Sequence, residues 1–287
     1  MAGLLSGLEQ FGLGGLEGME LYDQPKKKEE GEEEAPVMQE QDYLFDKSQT
    51  CPICDKEFKA RTIKVGKVKM VGADSDLRPR YEQVDILKYD VIMCPRCGYT
   101  TLSRFFKSIT SPQAKRIKET ISAQFKPISE VKDIYTYDEA LERYKLALAN
   151  AIVKLAKSSE KAYICLKTAW LLRGKAENLD VEDDDYEEKK QQIEAEENEF
   201  LKNALDGFLA ARQTESFPMC GMDEATVDYV ISVTAAKFGQ YDVASKLISM
   251  IIASPTTSPR MKEKARDLKE QIKMQIRMKN AGNAQTE

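Results

Sequence analysis

The sequence predicts an α+β protein, in which a small β domain built on four cysteines precedes an all-α domain of helical hairpins. Two observations lead to this prediction. Two Cys-x-x-Cys pairs enclose a stretch of alternating apolar and polar residues, and apolar residues recur at helical spacing from about residue 138 onward. The chain therefore divides into a tail (1–46), a cysteine domain (47–110), a helical domain (111–255) and a C-terminal helix with a frayed end (256–287).

The tail is predicted to be disordered. Residues 1–24 are rich in glycine and leucine, and each glycine inside a helix would cost about 0.5–1 kcal/mol, so this segment has no stable fold of its own. Residues 25–34 form a linker that is too highly charged to pack. The first segment is either a frayed end or a docking segment that binds a groove in this chain or in a partner.

Four cysteines form the candidate metal site: Cys51, Cys54, Cys94 and Cys97. Each pair offers two thiolates from one tight turn, and two such turns facing each other make a tetrahedral four-sulfur zinc site. Gly98 can adopt the left-handed backbone conformation that suits the end of such a turn. Because four thiolates leave no coordination position open, we expect one structural zinc ion. The 39 residues between the pairs exceed the usual interval of about 15–20, which indicates an embellished zinc ribbon.

The residues between the two pairs predict strands with one basic face. From Phe58 to Val71 apolar residues alternate with lysine and arginine, with a break at Gly66, and a return strand is expected from Ile86 to Met93. A basic face of this kind can bind a polyanion by neutralising its charge. The candidate residues for such binding are Lys64, Lys67, Lys69, Arg78, Arg80, Arg96 and Arg104.

Helices are predicted from a start at Ser111-Pro112, and then from about residue 138 to about residue 280. Two stretches, within 137–148 and 239–255, are similar to the second helix of a tetratricopeptide repeat. Small residues stand there at close helix contacts, and aromatic residues fill the gaps. The units do not keep the register of that repeat, so the prediction is of tetratricopeptide-like helical hairpins.

Whole-chain composition argues against catalysis and against a membrane location. The 287 residues include no histidine, the side chain most often used for general acid–base catalysis, which favours a protein that is not an enzyme. No apolar run is long enough to cross a membrane, and the N-terminus has no recognisable secretory signal. We therefore expect a cytoplasmic protein without membrane contact, whose reduced thiols are available to a metal.

Charge is strongly segregated along the chain, although the net charge is only −5. Residues 1–46 have a net charge of −9, residues 47–126 of +9 and residues 127–287 of −5. A basic module of this kind suits three partners: an acidic protein or peptide, a nucleic acid, or the acidic tail of the same chain.

Three stretches of the cysteine domain are distinctive as a set. They are Cys51-Pro52-Ile53-Cys54 with Glu57-Phe58, then Asp76-Leu77-Arg78-Pro79-Arg80-Tyr81, and then Tyr89-Asp90-Val91-Ile92-Met93-Cys94-Pro95-Arg96-Cys97-Gly98-Tyr99. Together they resemble a bacterial family known as domain of unknown function 2225. The helical half also looks like the region that these proteins have, so the resemblance covers roughly residues 45–255. It implies a metal-binding bacterial protein and brings no activity with it.

The sequence leaves three functions open. The first is a non-enzymatic, zinc-binding scaffold or adaptor that uses its basic ribbon and a helical groove to bind a protein partner. The second is a regulatory protein that binds nucleic acid through the basic ribbon. The third is a thiol oxidoreductase that uses the Cys-x-x-Cys pairs, although two matched turns favour metal binding over redox chemistry.

Overall fold

The computed structural model describes residues 38–128 and 132–283. The expectations for the chain before residue 38, including the docking of residues 1–24, lie outside the described residues. The segment predicted as the end of the tail includes the start of a strand. Strand β1 spans Leu44–Thr50 and pairs with the strand that follows the first cysteine turn.

The β part consists of three two-stranded antiparallel sheets among the described residues. β1 pairs with β2 (Glu57–Ile63), β3 (Met70–Ala73) pairs with β4 (Pro79–Tyr81), and β5 (Val91–Met93) pairs with β6 (Thr100–Leu102). The alternating stretch after the first cysteine pair therefore does not fold back on itself. It runs through β2 and a short 3₁₀ turn into β3. β2 pairs with β1 and β3 pairs with β4, so the two strands of the stretch do not pair with each other.

The return strand predicted for Ile86–Met93 is shorter than expected. Ile86–Tyr89 forms a 3₁₀ helix, and only Val91–Met93 is a strand. The Asp85 carboxylate caps this 3₁₀ helix by accepting the N–H of Leu87 at 3.0 Å. This cap holds the chain in a turn that the apolar pattern alone does not reveal.

Seven α-helices follow the strands in the described chain. They are α1 (Ser111–Ile117), α2 (Tyr137–Val153), α3 (Ser158–Glu177), α4 (Tyr186–Thr214), α5 (Glu224–Lys237), α6 (Tyr241–Ala253) and α7 (Pro259–Asn283). Thr136 begins α2 with a capping box, in which its side chain accepts the N–H of Glu139 and the Glu139 carboxylate accepts the N–H of Thr136. None of the described helices combines the length and the apolar character needed to cross a membrane.

The order of these elements confirms a mixed fold, with short strand pairs followed by helices. A tetratricopeptide-like domain is not confirmed. The hairpin of α3 and α4 has helices of 20 and 29 residues, whereas that of α5 and α6 has helices of 14 and 13, so the two hairpins do not repeat one unit. α3 packs most extensively on α4, and Gly207 allows this approach because a Cβ atom there would lie 2.9 Å from that of Ala162.

Part of the β region belongs to the main hydrophobic core of the helices. Leu87, Val91 and Leu102 of the β part are buried together with the apolar faces of the helices. The hydroxyl of Tyr144, a fully buried residue of α2, donates to the carbonyl oxygen of Leu87 at 3.0 Å. The β part is therefore packed directly on α2, and the residues from Gln39 onward form one unit.

A buried ion network joins the β3–β4 hairpin to α3 and α4. The guanidinium of Arg173 lies 2.8 Å from Asp76 Oδ2 and 2.7 Å from Glu197 Oε1. Both acidic residues are almost fully buried. Asp76 also accepts the indole N–H of Trp170 at 2.9 Å. The burial of these charges is tolerable because each has an opposite charge and hydrogen-bond partners.

We expect Arg173→Ala to lower the free energy of unfolding by about 3 kcal/mol, because Asp76 would stay buried without a counter-charge and Glu197 would keep only Lys237, 3.6 Å away. Chemical denaturation of the full chain measures this change. Lys115→Ala is the control, since it removes an exposed ion pair with Glu119, and it should alter stability by less than about 1 kcal/mol. Equal effects of the two variants would contradict the role given to Arg173.

Candidate metal centre

Two tight turns with the same backbone hydrogen bond present the four cysteines. The first turn joins β1 to β2, and the second joins β5 to β6. The N–H of Cys51 donates to the carbonyl of Lys56 at 3.0 Å, and the N–H of Cys94 donates to the carbonyl of Tyr99 at 2.8 Å. Each bond links the first cysteine of a pair to the residue five positions later, so the two turns are equivalent.

A residue in the left-handed conformation ends each turn. Asp55 has a φ of 57° and Gly98 has a φ of 73°, and their N–H groups donate to the carbonyls of Cys51 and Cys94 at 2.9 and 3.1 Å. The sequence identified Gly98 by its type but missed Asp55, because aspartate adopts this conformation less often than glycine. The sequence feature that could have identified Asp55 is its position directly after the second cysteine of the first pair. Glycine is needed at Gly98 for a second reason, since a Cβ atom there would overlap the ring of Phe125.

The structure brings all four predicted sulfur atoms together. The Sγ atoms of Cys51 and Cys97 are 3.6 Å apart, those of Cys54 and Cys94 are 3.7 Å apart, and all four lie within 4.8 Å of one another. A tetrahedral ion with zinc–sulfur bonds of about 2.3 Å requires sulfurs about 3.8 Å apart. Cys51 and Cys94 are fully buried. The four cysteines lie close enough to hold a metal ion, and their spacing is compatible with zinc.

The sulfur atoms also control one another's protonation. Hydrogen bonds from the Cys51 and Cys97 thiols lower the pKa of Cys94 to about 2. The contact with Cys94 raises the pKa of Cys51 to about 12, and contacts with Cys51 and Cys94 raise the pKa of Cys97 as well. The N–H of Ile53 donates to Cys51 Sγ at 3.4 Å, but one such bond does not offset the repulsion between neighbouring thiolates. Ionisation of Cys51 and Cys97 at neutral pH therefore needs a cation among the sulfurs.

Helix α2 supports the second cysteine turn through a buried asparagine. Asn150 Nδ2 donates to the carbonyl oxygen of Gly98 at 3.2 Å, and its residue is 1% exposed. Thr100 Oγ1 donates to the same carbonyl at 3.0 Å. Asn150 was not among the residues predicted from the sequence. The feature that could have identified it is a polar residue among the otherwise apolar buried positions of α2.

Two of the seven predicted polyanion-binding residues, Arg78 and Arg80, form ion pairs with Glu177 of α3. Arg78 is 5% exposed, and its guanidinium lies 3.0 Å from Glu177 and 3.6 Å from Asp85. Arg80 donates to Glu177 at 2.6 Å and to Asp74 at 2.5 Å. Hydrogen bonds to Glu177 and Asp74 raise the pKa of Arg80. These two arginines fasten the β3–β4 hairpin to α3, and carboxylates of the protein balance their charges.

The other five predicted residues lie at or near the surface in different settings. Lys64 donates to a backbone carbonyl at 3.1 Å, and Lys69 lies 3.3 Å from a carboxylate. Arg104 stacks over two aromatic rings, with its Cζ atom 5.7 Å from each ring centroid. Lys67 and Arg96 are exposed and have no ion pair within the described ranges. Because Arg78 is buried, the seven residues do not all lie on an exposed face.

A different set of cations lines a cleft of about 480 Å³. Lys47 of β1, Arg104 after β6 and Lys167 of α3 meet there, and isoleucine and valine side chains line much of the remainder. Lys167 pairs with Asp90, whereas Lys47 has no ion pair in the part of the chain that the structure describes. We call this feature the basic cleft. The sequence identified only Arg104 among the three, because no local pattern relates residues so distant along the chain.

One protein family matches most of the chain. A family model described as an uncharacterized protein conserved in bacteria (DUF2225) matches residues 44–272. The chain belongs to this family. The DUF2225 match confirms the resemblance carried by the two cysteine turns and the segment from Asp76 to Tyr81, and it extends from β1 into the first half of α7. No curated protein and no solved structure matches the chain.

Asn150→Ala should weaken metal binding about tenfold or more, because it removes a hydrogen bond that orients the second cysteine turn. Competition between the protein and a chromogenic chelator for Zn²⁺ measures the affinity. Asn203→Ala is the matched control. Both asparagines donate to the carbonyl four residues earlier in their helix at 2.9 Å, but Asn203 lies on an exposed face of α4. Unchanged affinity in Asn150→Ala would contradict this supporting role.

Proposed function

We propose that this protein is a zinc-stabilised adaptor without enzymatic activity, whose basic cleft holds an acidic segment of a partner protein. The observation that carries the proposal is the closed cluster of four cysteines. Four thiolates complete the tetrahedral coordination of zinc and leave no position for a reacting water molecule. Such a site stabilises a fold, so the function lies in the surfaces that the fold presents.

The chemistry of the ligands supports zinc in a structural role. Thiolates are soft ligands that suit zinc in a reducing compartment. A thiol oxidoreductase would need a sulfur atom that its substrate can reach. Cys51 and Cys94 are each 0% exposed, which favours metal binding over disulfide exchange.

Zinc would join two hairpins that have little stability on their own. A two-stranded hairpin is marginally stable in water, and in the described chain no strand pairing links the β1–β2 hairpin to the β5–β6 hairpin. The apparent binding energy of a structural zinc site is about 10–16 kcal/mol, and much of it becomes folding energy. The metal would therefore hold together the part of the protein that contributes most of the basic cleft.

The lining of the basic cleft indicates the chemistry of the partner. Ile63, Val65 and Val68 offer apolar contacts, and Val65 is 79% exposed. Lys47 and Arg104 supply positive charge at the same cleft. An apolar side chain flanked by aspartate or glutamate would satisfy both features at once. An acidic segment of a protein fits this description.

A single-stranded nucleic acid is the second candidate ligand. Tyr81 lines the same cleft, and an aromatic ring near positive charge can stack on a base. The two ligands differ in how they respond to salt. Nucleic-acid binding that neutralises several phosphates falls steeply as salt rises, whereas a ligand with apolar anchors keeps part of its affinity.

Elemental analysis of protein purified from its native cell should find one zinc ion per chain. Cys97→Ser is expected to reduce the bound zinc to well below one equivalent, because a hydroxyl is a poor zinc ligand. Cys220→Ser is the control, since its sulfur lies outside the cluster and contacts the carbonyl of Ser159 at 3.3 Å. A metal-free native protein would refute the zinc proposal.

A peptide that alternates aspartate or glutamate with leucine or phenylalanine is the probe for the basic cleft. Fluorescence anisotropy should show binding to the full chain, and Lys47→Glu should weaken it about fivefold to tenfold. Lys115→Glu on α1 makes the same change in net charge at an exposed site and should leave the affinity unchanged. Absence of peptide binding would refute the adaptor proposal, and preferential binding of a single-stranded oligonucleotide would establish the second candidate.

A further inference from the structure

The helical part contains an apolar groove that the described chain leaves open. The groove lies between α2, α3 and α4 and has a volume of about 640 Å³. Leu148 and Ile152 of α2 and Phe200 of α4 contribute large apolar side chains, and the small residue Ala162 of α3 also lines it. Ile152 is 56% exposed. An apolar surface of this shape suits the side chains of a docked helix.

Carboxylates follow one edge of this groove at helical spacing. Glu196, Glu199 and Asp206 line it from α4, and residues three or four positions apart, or multiples of these, share one face of a helix. Glu196 pairs with Lys145 at 2.6 Å, but Glu199 and Asp206 have no ion pair among the described residues. Lys161 is the only cation in the described lining. The groove therefore favours a ligand that places positive charges beside apolar side chains.

The end of α7 has these complementary features. Ile272 is the last fully buried side chain described in this 25-residue helix. Beyond it, Met274 and Met278 lie one turn apart and are 54% and 71% exposed. Lys273 and Arg277 also lie one turn apart, on the adjoining strip of the helix, and the sequence from 273 to 278 has no carboxylate. Lys273 lies 2.7 Å from Glu270 Oε1 on the same helix, at a side chain that is about half exposed, whereas Arg277 has no ion pair in the described chain.

We infer that the end of α7 docks in the acidic-edged groove of a second copy of this chain. Met274 and Met278 fill the apolar groove, because unbranched methionine side chains adapt to irregular gaps. Arg277 and Lys273 lie along the row of carboxylates on α4. Neither the cysteine cluster nor the basic cleft takes part in this contact. A test of the contact is therefore independent of the proposed function.

Reciprocal exchange gives the assembly a defined size. Each copy offers one helix end and one groove, so two copies can exchange them across a twofold axis and leave neither surface unused. The closed product is a dimer. The helix end lies beyond residue 272, where the DUF2225 match stops, so the dimer is a property of this chain and need not extend to the family.

Sedimentation velocity of the full chain over a range of concentrations tests self-association directly. We expect a monomer–dimer equilibrium, and each of the substitutions Met274→Ser and Met278→Ser should weaken it about tenfold or more, because each removes a buried apolar side chain from the contact. Met70→Ser on β3 is the matched control. Met70 is 54% exposed, as Met274 is, but lies outside both surfaces. A protein that stays monomeric at all concentrations would overturn the inference.

An exchange of charges identifies the two surfaces. One variant reverses the groove with Glu199→Lys and Asp206→Lys, and the other reverses the helix end with Lys273→Glu and Arg277→Glu. Each variant alone should be monomeric, and an equimolar mixture should form a dimer, since all opposing charges then attract again. Misfolding would not be repaired by mixing. A dimer in either variant alone, or a mixture that stays monomeric while the unaltered chain dimerises, would show that other surfaces are used and would overturn the assignment.

Discussion

Four sulfur atoms that lie within 4.8 Å of one another cannot all carry negative charge without a cation, and this constraint organises the β part. The cysteines that face each other are 46 and 40 residues apart in sequence and belong to separate hairpins. Attraction to one divalent ion would turn mutual repulsion into a cross-link between these hairpins. The matched turns serve the same end, because each connects the two strands of one hairpin and directs two sulfurs to one point.

The β part is also held to the helices at two places. Near the cysteines, Asn150 of α2 donates to the carbonyl of Gly98. At the β3–β4 hairpin, Arg173 of α3 bridges Asp76 and Glu197. Arginine suits the second place because its planar fork can donate to several carboxylates at once, which a lysine ammonium does less well.

Local rules predicted the features that depend on neighbouring residues. The spacing of Cys51, Cys54, Cys94 and Cys97 sufficed for the metal cluster, and apolar periodicity sufficed for the helices. The sequence did not reveal Asn150 or the partners of Arg78, because their roles depend on residues 52 and 99 positions away. Charge alone does not say whether an arginine faces solvent or a buried carboxylate. The tetratricopeptide resemblance is not confirmed, since short motifs of small and aromatic residues indicate close helix packing but do not fix helix length or repeat register.

The two proposed binding surfaces differ in charge and in the elements that form them. Lys47 of β1, Arg104 after β6 and Lys167 of α3 line the basic cleft. The groove instead takes its carboxylates from α4 and most of its large apolar side chains from α2. Lys161 and Lys167 lie six positions apart on α3, so this helix contributes to both without any residue being shared. A ligand bound at one surface would therefore not compete for side chains with a ligand bound at the other. A dimer formed through the grooves would present two basic clefts, and a partner with two acidic segments would bind such an assembly more tightly than either cleft alone, because the second contact becomes intramolecular.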